Sequence, residues 1–595
     1  MPLYTRSAKK SVSKKGGITM KLILKYLKNY KLLLFLNLIG VLSFALVELG
    51  IPTVVSTMID NGIVTGNIPY IKQMGGVIFL ISVLGGAGAV LLAYCSSKIS
   101  TGVTRDIRND IFIKSQTFSH TEYNKFGVSS MITRTTNDVF QLQQFVNILL
   151  RTALLAPVML IVSFSLTFRT SPALSLVVAC TIPVIVVGVV IVARVSNPLS
   201  ENQQKNLDRL NRISRENLTG IRVIRAFCND AHESERFGEA NARFTSFSKK
   251  LFKLMATTQP AFFLLLNIAI LFVVWISSNK INAETLQVGQ LVAFLEYQFH
   301  AMFSMMLFSL VFIMYPRAQV SANRVTELLT QTPLIQNPKN GVKETKQTGT
   351  LCFDHVSFRY SDGEEAILED ISFTAKAGDT VAFIGSTGSG KSTLIGLIPR
   401  FYDVTKGRIL LDGVDVRDYD LGTLRQKIGY IPQKALLFSG SIREAIQFGK
   451  KDASPEEIEH AAKVAQAYDF IMEKPMQFDE PITEGASNLS GGQKQRLSIT
   501  RAVVRKPEVY VFDDSFSALD FKTDAALRRQ LKKETKGSIV LIVAQRVSTI
   551  MDAEKIVVLD EGRIVGIGTH KELLDTCNIY YEIASSQLSK EELVQ

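Results

Sequence analysis

The sequence predicts two unlike halves in one chain: an all-α membrane domain of six spanning helices, fused to a soluble α/β domain. Three observations carry this reading. Long apolar runs are confined to the stretch before about residue 318. Beyond it, short apolar strands alternate with polar helical segments, as in soluble α/β domains. One of those strands, Thr380–Gly385, leads through a glycine-rich loop into a helix.

The length, 595 residues, exceeds what a single core supports. With 47% hydrophobic residues and a mean hydropathy of +0.18, the chain is too apolar to be soluble throughout. The net charge of +13 raises the question of nucleic acid. Basic residues crowd the cytoplasmic flanks of membrane spans, however, and no zinc-finger spacing or RNA-binding aromatic signature accompanies them. No nucleic-acid partner is expected. Five cysteines (Cys95, Cys180, Cys228, Cys352, Cys577) are scattered without metal-ligand spacing and read as reduced, packing thiols. The basic N-terminal stretch has no short apolar core with a cleavage site behind it, so neither a signal nor a transit peptide is expected.

A spanning helix needs about 20 mostly apolar residues. Candidates lie near 32–55, 74–97, 147–168, 171–195, 260–278 and 288–316. Pro52, Pro157, Pro183 and Pro260 fall in or beside them, where neighbouring helices re-satisfy the freed backbone. Only Arg169, Thr170 and Ser171 join the third and fourth spans, which predicts a tight hairpin. Residues 1–31 read as a tail with an interfacial amphipathic helix, "KLILKYLKNYK", in contact with membrane lipid. Residues 32–318 then form the membrane domain, 319–348 a linker and 349–595 the soluble domain. The segments 98–146 and 196–259 are long and rich in Arg and Lys, whereas the turns at 56–73, 169–170 and 279–287 are short and nearly free of them. By the positive-inside rule both termini and both long segments are cytoplasmic, in a multi-pass protein of the cell membrane. In 216–237, Leu218, Ile221, Ile224, Ala226 and Phe227 recur at broadly helical spacing, so the long segments read as helical extensions of the spans that reach the soluble domain.

The strongest signal is "TVAFIGSTGSGKST". Here Gly385, four residues, then Gly390-Lys391-Ser392 sit between a strand and a helix, the required context of a phosphate-binding loop. Glycines at Gly385, Gly388 and Gly390 let the backbone N–H groups of Ser386, Thr387, Ser389 and Thr393 turn toward phosphate oxygens. Lys391 would reach the β- and γ-phosphates, and the Ser392 hydroxyl would face Mg²⁺.

About a hundred residues downstream, "NLSGGQKQRL" (488–497) precedes the apolar strand that ends in Asp513 and Asp514. With these residues the chain resembles the ATP-binding cassette (ABC) transporters over nearly its whole length. Leu489–Gln493 matches that family's signature, and six spans ahead of one cassette resembles an exporter half-transporter. The resemblance implies ATP and Mg²⁺ as cofactors. It implies that Tyr360 stacks on adenine, that Asp513 and Gln433 join Ser392 at the metal, and that Asp514 and Gln545 stand at the hydrolytic positions. It also implies a head-to-tail dimer with two composite sites. Ser490, Gly491, Gly492 and Gln493, with Asp520 of "SALD", would then serve the ATP held by the partner.

Two positions depart from the family's pattern. Asp514 stands where Glu is usual, and Gln545 where His is usual. Shortening a fixed carboxylate by one methylene retracts it by about 1.5 Å, and errors near 1 Å can cost on the order of 10²-fold in rate. Gln545 can hydrogen-bond a γ-phosphate oxygen but carries no titrating proton. Both changes strike hydrolysis at the site this chain holds, while the signature that serves the other site is intact. The expectation is therefore a heterodimer, with a partner that carries Asp-Glu and His.

Cargo is faintly encoded. Glu48 in the first span, and Glu296 and His300 in the sixth, are ionisable groups that by default face a cavity or a partner. Phe303, Met305, Met306, Phe308, Phe312 and Met314 in the sixth span suit a promiscuous apolar surface as well as plain packing. Export of small amphipathic compounds is the leading expectation. The alternatives are lipid or peptide export and, from another class, an ATP-gated regulatory or channel-like module.

Overall fold

Apolar runs that cross a bilayer must satisfy every backbone group internally, which leaves a single chain segment only the helix. The computed structural model describes residues 21–360, 363 and 365–588. The chain forms two compact units, one of residues up to Gln116 with Val128–Gln331, the other of Thr117–Gly127 with Thr332 onward. Among the described residues, six helices in the first unit are long and apolar enough to span: Lys21–Ile63, Ile68–Gln116, Val128–Thr170, Pro172–Ala226, Asp230–Asn282 and Val288–Thr330. The fourth has 55 residues, about 80 Å of helix, against a hydrocarbon core of about 30 Å. The surplus is the polar stretch expected to extend the span. Ser171 alone separates the third and fourth helices, as the hairpin requires.

The first two spans approach closely through small residues. A Cβ on Gly85 would lie 1.8 Å from Val47 Cγ2, and one on Gly88 would lie 2.2 Å from Ser43 Oγ. Near the chain's start, the Tyr26 and Tyr30 hydroxyls donate to Asp110 and Asp106 at 2.6 and 2.8 Å, tying the amphipathic segment to the second helix. One boundary differs from the sequence reading. Residues 319–330, read as linker, continue the sixth helix to Thr330, because Ala318, Ala322, Val325 and Leu328 keep a buried face at helical spacing.

In the second unit, a four-stranded antiparallel sheet runs in the order β2-β1-β4-β5. Its strands are β1 (Thr350–Phe358), β2 (Leu368–Lys376), β4 (Lys406–Leu411) and β5 (Val414–Asp415). A six-stranded sheet runs β12-β11-β3-β10-β9-β6. It is built from β3 (Thr380–Gly385), β6 (Ile428–Ile431), β9 (Val509–Asp513), β10 (Ile539–Val543), β11 (Lys555–Asp560) and β12 (Arg563–Gly568). All pairs among these are parallel except β11 with β12. Strands β9 and β10 are buried at every position, the mark of a parallel sheet covered on both faces. A short pair, β7 (Gly440–Ser441) and β8 (Pro481–Ile482), lies outside both sheets. The helix His120–Phe126, from a segment read as part of a polar extension, also belongs to this unit. Its buried Glu122 closes a capping box with Ser119 and accepts the Leu334 N–H at 3.0 Å.

Candidate functional site

Open parallel sheets bind ligands beyond the carboxyl ends of their strands. Strands β3, β10 and β9 are neighbours in that order, in register Phe383↔Val543↔Asp513. Three loops therefore leave one sheet edge side by side: the glycine-rich loop after β3, the Gln545 loop after β10 and the acidic pair at the end of β9. Sequence separations above 100 residues collapse to hydrogen-bond distance there.

The loop after β3 needs its glycines. Gly385 has φ +154°, and a Cβ there would lie 1.9 Å from the Leu559 carbonyl oxygen; Gly390 has φ +92° and would press on Leu368 and Ile367. The Lys391 ammonium is wrapped in its own loop, donating to the carbonyls of Gly385 (3.0 Å) and Ser386 (2.7 Å) and to Ser389 Oγ (3.1 Å). Burial holds it below the ordinary lysine range, while Asp514 and Asp513 pull it back up. Phosphate oxygens would compete with these three acceptors for the ammonium. Thr393 Oγ1 meets the Tyr360 hydroxyl at 3.0 Å, and the half-buried Tyr360 ring stands perpendicular to Phe358 and Tyr402.

The two carboxylates have different duties. Asp513 Oδ1 accepts from the Ser392 hydroxyl at 2.8 Å, and its Oδ2 from the Tyr430 hydroxyl at 3.2 Å. An aspartate and a hydroxyl supply the oxygen donors that a hard cation such as Mg²⁺ prefers, and substrate phosphates and waters complete such sites. Among the described residues no cluster of three His, Cys, Asp or Glu side chains forms a metal cage. The residues fit a magnesium bound with its nucleotide.

Asp514 points elsewhere. Its Oδ2 accepts from both carboxamides, Gln433 Nε2 at 3.1 Å and Gln545 Nε2 at 2.9 Å. Its backbone is left-handed, at φ +46°, a conformation that Asp adopts more readily than most residues. Burial raises its carboxyl above the usual range, the Gln433 bond lowers it, and the charge of Asp513 raises it again. Both departures from the family's pattern thus meet at one oxygen atom.

Ser490 caps the helix Gly491–Val503 in a capping box with Gln493. Ser490 and Gly491 are exposed, and no hydrogen bond among the described residues joins this turn to the glycine-rich loop. Gly492 faces the carbonyl of Ala518, and Asp520 caps the helix Phe521–Glu534 by accepting from Thr523. Sequence reasoning missed Tyr430, although it opens the "YIPQ" stretch that contains Gln433. It also missed the fully buried Ser515, whose hydroxyl donates to Ile431 O at 3.0 Å and to Asp513 O at 3.3 Å.

In the first unit, a polar seam joins the first and sixth spanning helices. Asp60 Oδ1 accepts the Gly289 N–H at 2.7 Å, Thr53 Oγ1 meets the Tyr297 hydroxyl at 2.5 Å, and Glu48 Oε2 lies 3.5 Å from His300 Nε2. The register is that of antiparallel helices. Glu296 stands exposed one turn before His300, and the Phe299 and Phe303 rings stack at 5.5 Å between centroids.

Comparison with known proteins agrees with both halves. Residues 34–306 match the family model of the ABC transporter transmembrane region, and residues 368–517 the family model described as ABC transporter. An uncharacterized ABC transporter ATP-binding protein of Bacillus subtilis is 37% identical, across 96% of this chain and 99% of its own. A Staphylococcus aureus ATP-binding/permease protein, whose name assigns it provisionally to multidrug export, is 32% identical across 96% of this chain and 100% of its own. The solved structure of a bacterial Atm1-family ABC exporter with ATP bound superposes with a TM-score of 0.77 at 22% identity, covering 96% of this chain and 99% of that one.

Proposed function

Because the chain belongs to the ABC transporter family, with one transmembrane region followed by one ATP-binding domain, we propose that it is one subunit of a dimeric, ATP-driven exporter of amphipathic compounds. The observation that carries this reading is the meeting of Lys391, Ser392, Asp513, Asp514 and Gln545 at one sheet edge of a chain with six spanning helices. Lys391 and the loop backbone bind phosphates. Ser392, Asp513 and Gln433 would hold Mg²⁺, which when bound offsets phosphate charge. Tyr360 offers a ring for adenine. The multidrug name of the Staphylococcus relative supports amphipathic cargo, and the Glu48–His300 pair supports cargo with a cationic group.

This chain's own site binds MgATP and hydrolyses it slowly. Asp514, one methylene short, has its Oδ2 engaged by two carboxamides, and Gln545 supplies no proton. The Ser490–Gln493 turn, exposed at Ser490 and Gly491, completes the active site of a partner half-transporter that carries Asp-Glu and His. The test is ATP turnover by the purified chain in proteoliposomes, alone and with such a partner. Turnover should be slow alone. Asp514→Glu with Gln545→His should raise it by at least about tenfold, more than the product of the single changes, because both act on one step. Brisk hydrolysis by the unmodified chain alone would overturn the slow-site reading. Uphill accumulation of cargo supports export, whereas dissipative flux would replace it with the gating alternative.

A further inference from the structure

The loop that carries Gln545 is held from outside the motifs. Gln587 lies in the last turn of the helix Asn578–Gln587. Its Nε2 donates to the carbonyl oxygen of Gln545 at 2.9 Å, and its Oε1 accepts the N–H of Val547 at 2.8 Å. The two bonds straddle Arg546. Val547 opens a short helix, Val547–Ile550, and Arg546, the N-cap residue before it, makes no side-chain cap. The Val547 N–H is therefore an orphan donor, and Gln587 satisfies it from 40 residues away. The clasp is anchored: Tyr580 and Ala584, two turns and one turn before Gln587, are fully buried. Only a carboxamide of this length can serve. A carboxylate would accept but not donate, and Asn would fall short by about 1.5 Å.

We propose that Gln587 is a positioning residue of the nucleotide site. By pinning the backbone on both sides of Arg546, it keeps the Gln545 side chain aimed at Asp514 Oδ2 and at the γ-phosphate position beside it. The C-terminal helix then sets how firmly the site grips a triphosphate, without touching the nucleotide. This rests on the reading that the chain holds MgATP at the loop after β3.

The experiment follows the release of fluorescent ATP and ADP analogues, with Mg²⁺, from the full-length chain in detergent or nanodiscs. Gln587→Ala and Gln587→Glu should each speed release of the triphosphate about fivefold to tenfold, the worth of about one hydrogen bond. Release of the diphosphate should stay unchanged, because on that reading Gln545 serves the γ-phosphate alone. In a Gln545→Ala background, Gln587→Ala should add nothing. Equal acceleration of both nucleotides, an undiminished effect without the Gln545 side chain, or no effect at all would each overturn the proposal alone. Failure of the unaltered chain to bind either analogue would overturn the nucleotide reading and this proposal with it.

Discussion

The nucleotide edge and the seam between the first and sixth spans both gather residues from distant parts of the sequence, by different means. At the nucleotide edge the backbone does the gathering. Parallel register sets Phe383, Val543 and Asp513 side by side, and every loop that follows starts from a fixed point. In the seam side-chain contacts do it: Glu48 with His300, Thr53 with Tyr297, and the Asp60 carboxylate with the Gly289 N–H. The difference shows in what each region tolerates. At the nucleotide edge Asp514 and Gln545 stand where the family resemblance leads one to expect Glu and His, and their side chains meet. In the seam a changed side chain removes the contact itself.

The sharpest way to break the comparison is Lys391→Ala. The strand end and loop glycines remain, so the edge should keep its shape while losing its cation. MgATP affinity should fall by about 10²-fold, since charge-assisted hydrogen bonds contribute about 1.5–3 kcal/mol each. Equilibrium binding of a labelled ATP analogue measures it, and near-normal affinity would mean that the backbone alone carries phosphate recognition. Glu48→Gln probes the seam at constant length. It should cut export of a cationic amphipath by about tenfold and leave a neutral one of similar size nearly untouched, if the carboxylate meets cargo charge. Equal losses for both compounds would assign Glu48 to helix pairing instead.

What the sequence disclosed follows the same division. Spans are legible because about 20 apolar residues have one structural outcome. The loop at Gly385–Ser392 is legible because its spacing is the geometry. The second carboxylate's surroundings were not, because Gln433, Asp514 and Gln545 meet through the strand order β6-β9-β10, which pattern alone does not reveal. Gln587 had no signal, being a surface glutamine that matters only through what it touches. Residues 319–330 were misread as linker because charges such as Arg324 and Glu327 masked a buried face spaced by three and four residues. The seam was visible as single residues, Glu48 and His300, but not as a pair.

The smallest expected effect tests whether the nucleotide edge is strained by the charge it keeps. Asp514 is buried, and its folded-state carboxyl is held above the usual range, chiefly by burial. A raised folded value means that the native state binds a proton more readily than the unfolded chain. The stability Asp514 contributes is then fully present below the unfolded value, 3.8, and is lost as pH rises through the folded value. Asp514→Asn removes the charge and keeps an oxygen able to accept from Gln433 and Gln545. The nucleotide-free variant should therefore unfold at a higher temperature than the unaltered chain at pH 8. That gap should close as pH is lowered toward the unfolded carboxyl value. Thermal unfolding at a series of pH values measures it. A gap that stays constant with pH would trace the gain to something other than the buried charge. An Asn variant less stable at pH 8 would show that the carboxylate, short as it is, is still better matched to its two amide donors than a neutral oxygen.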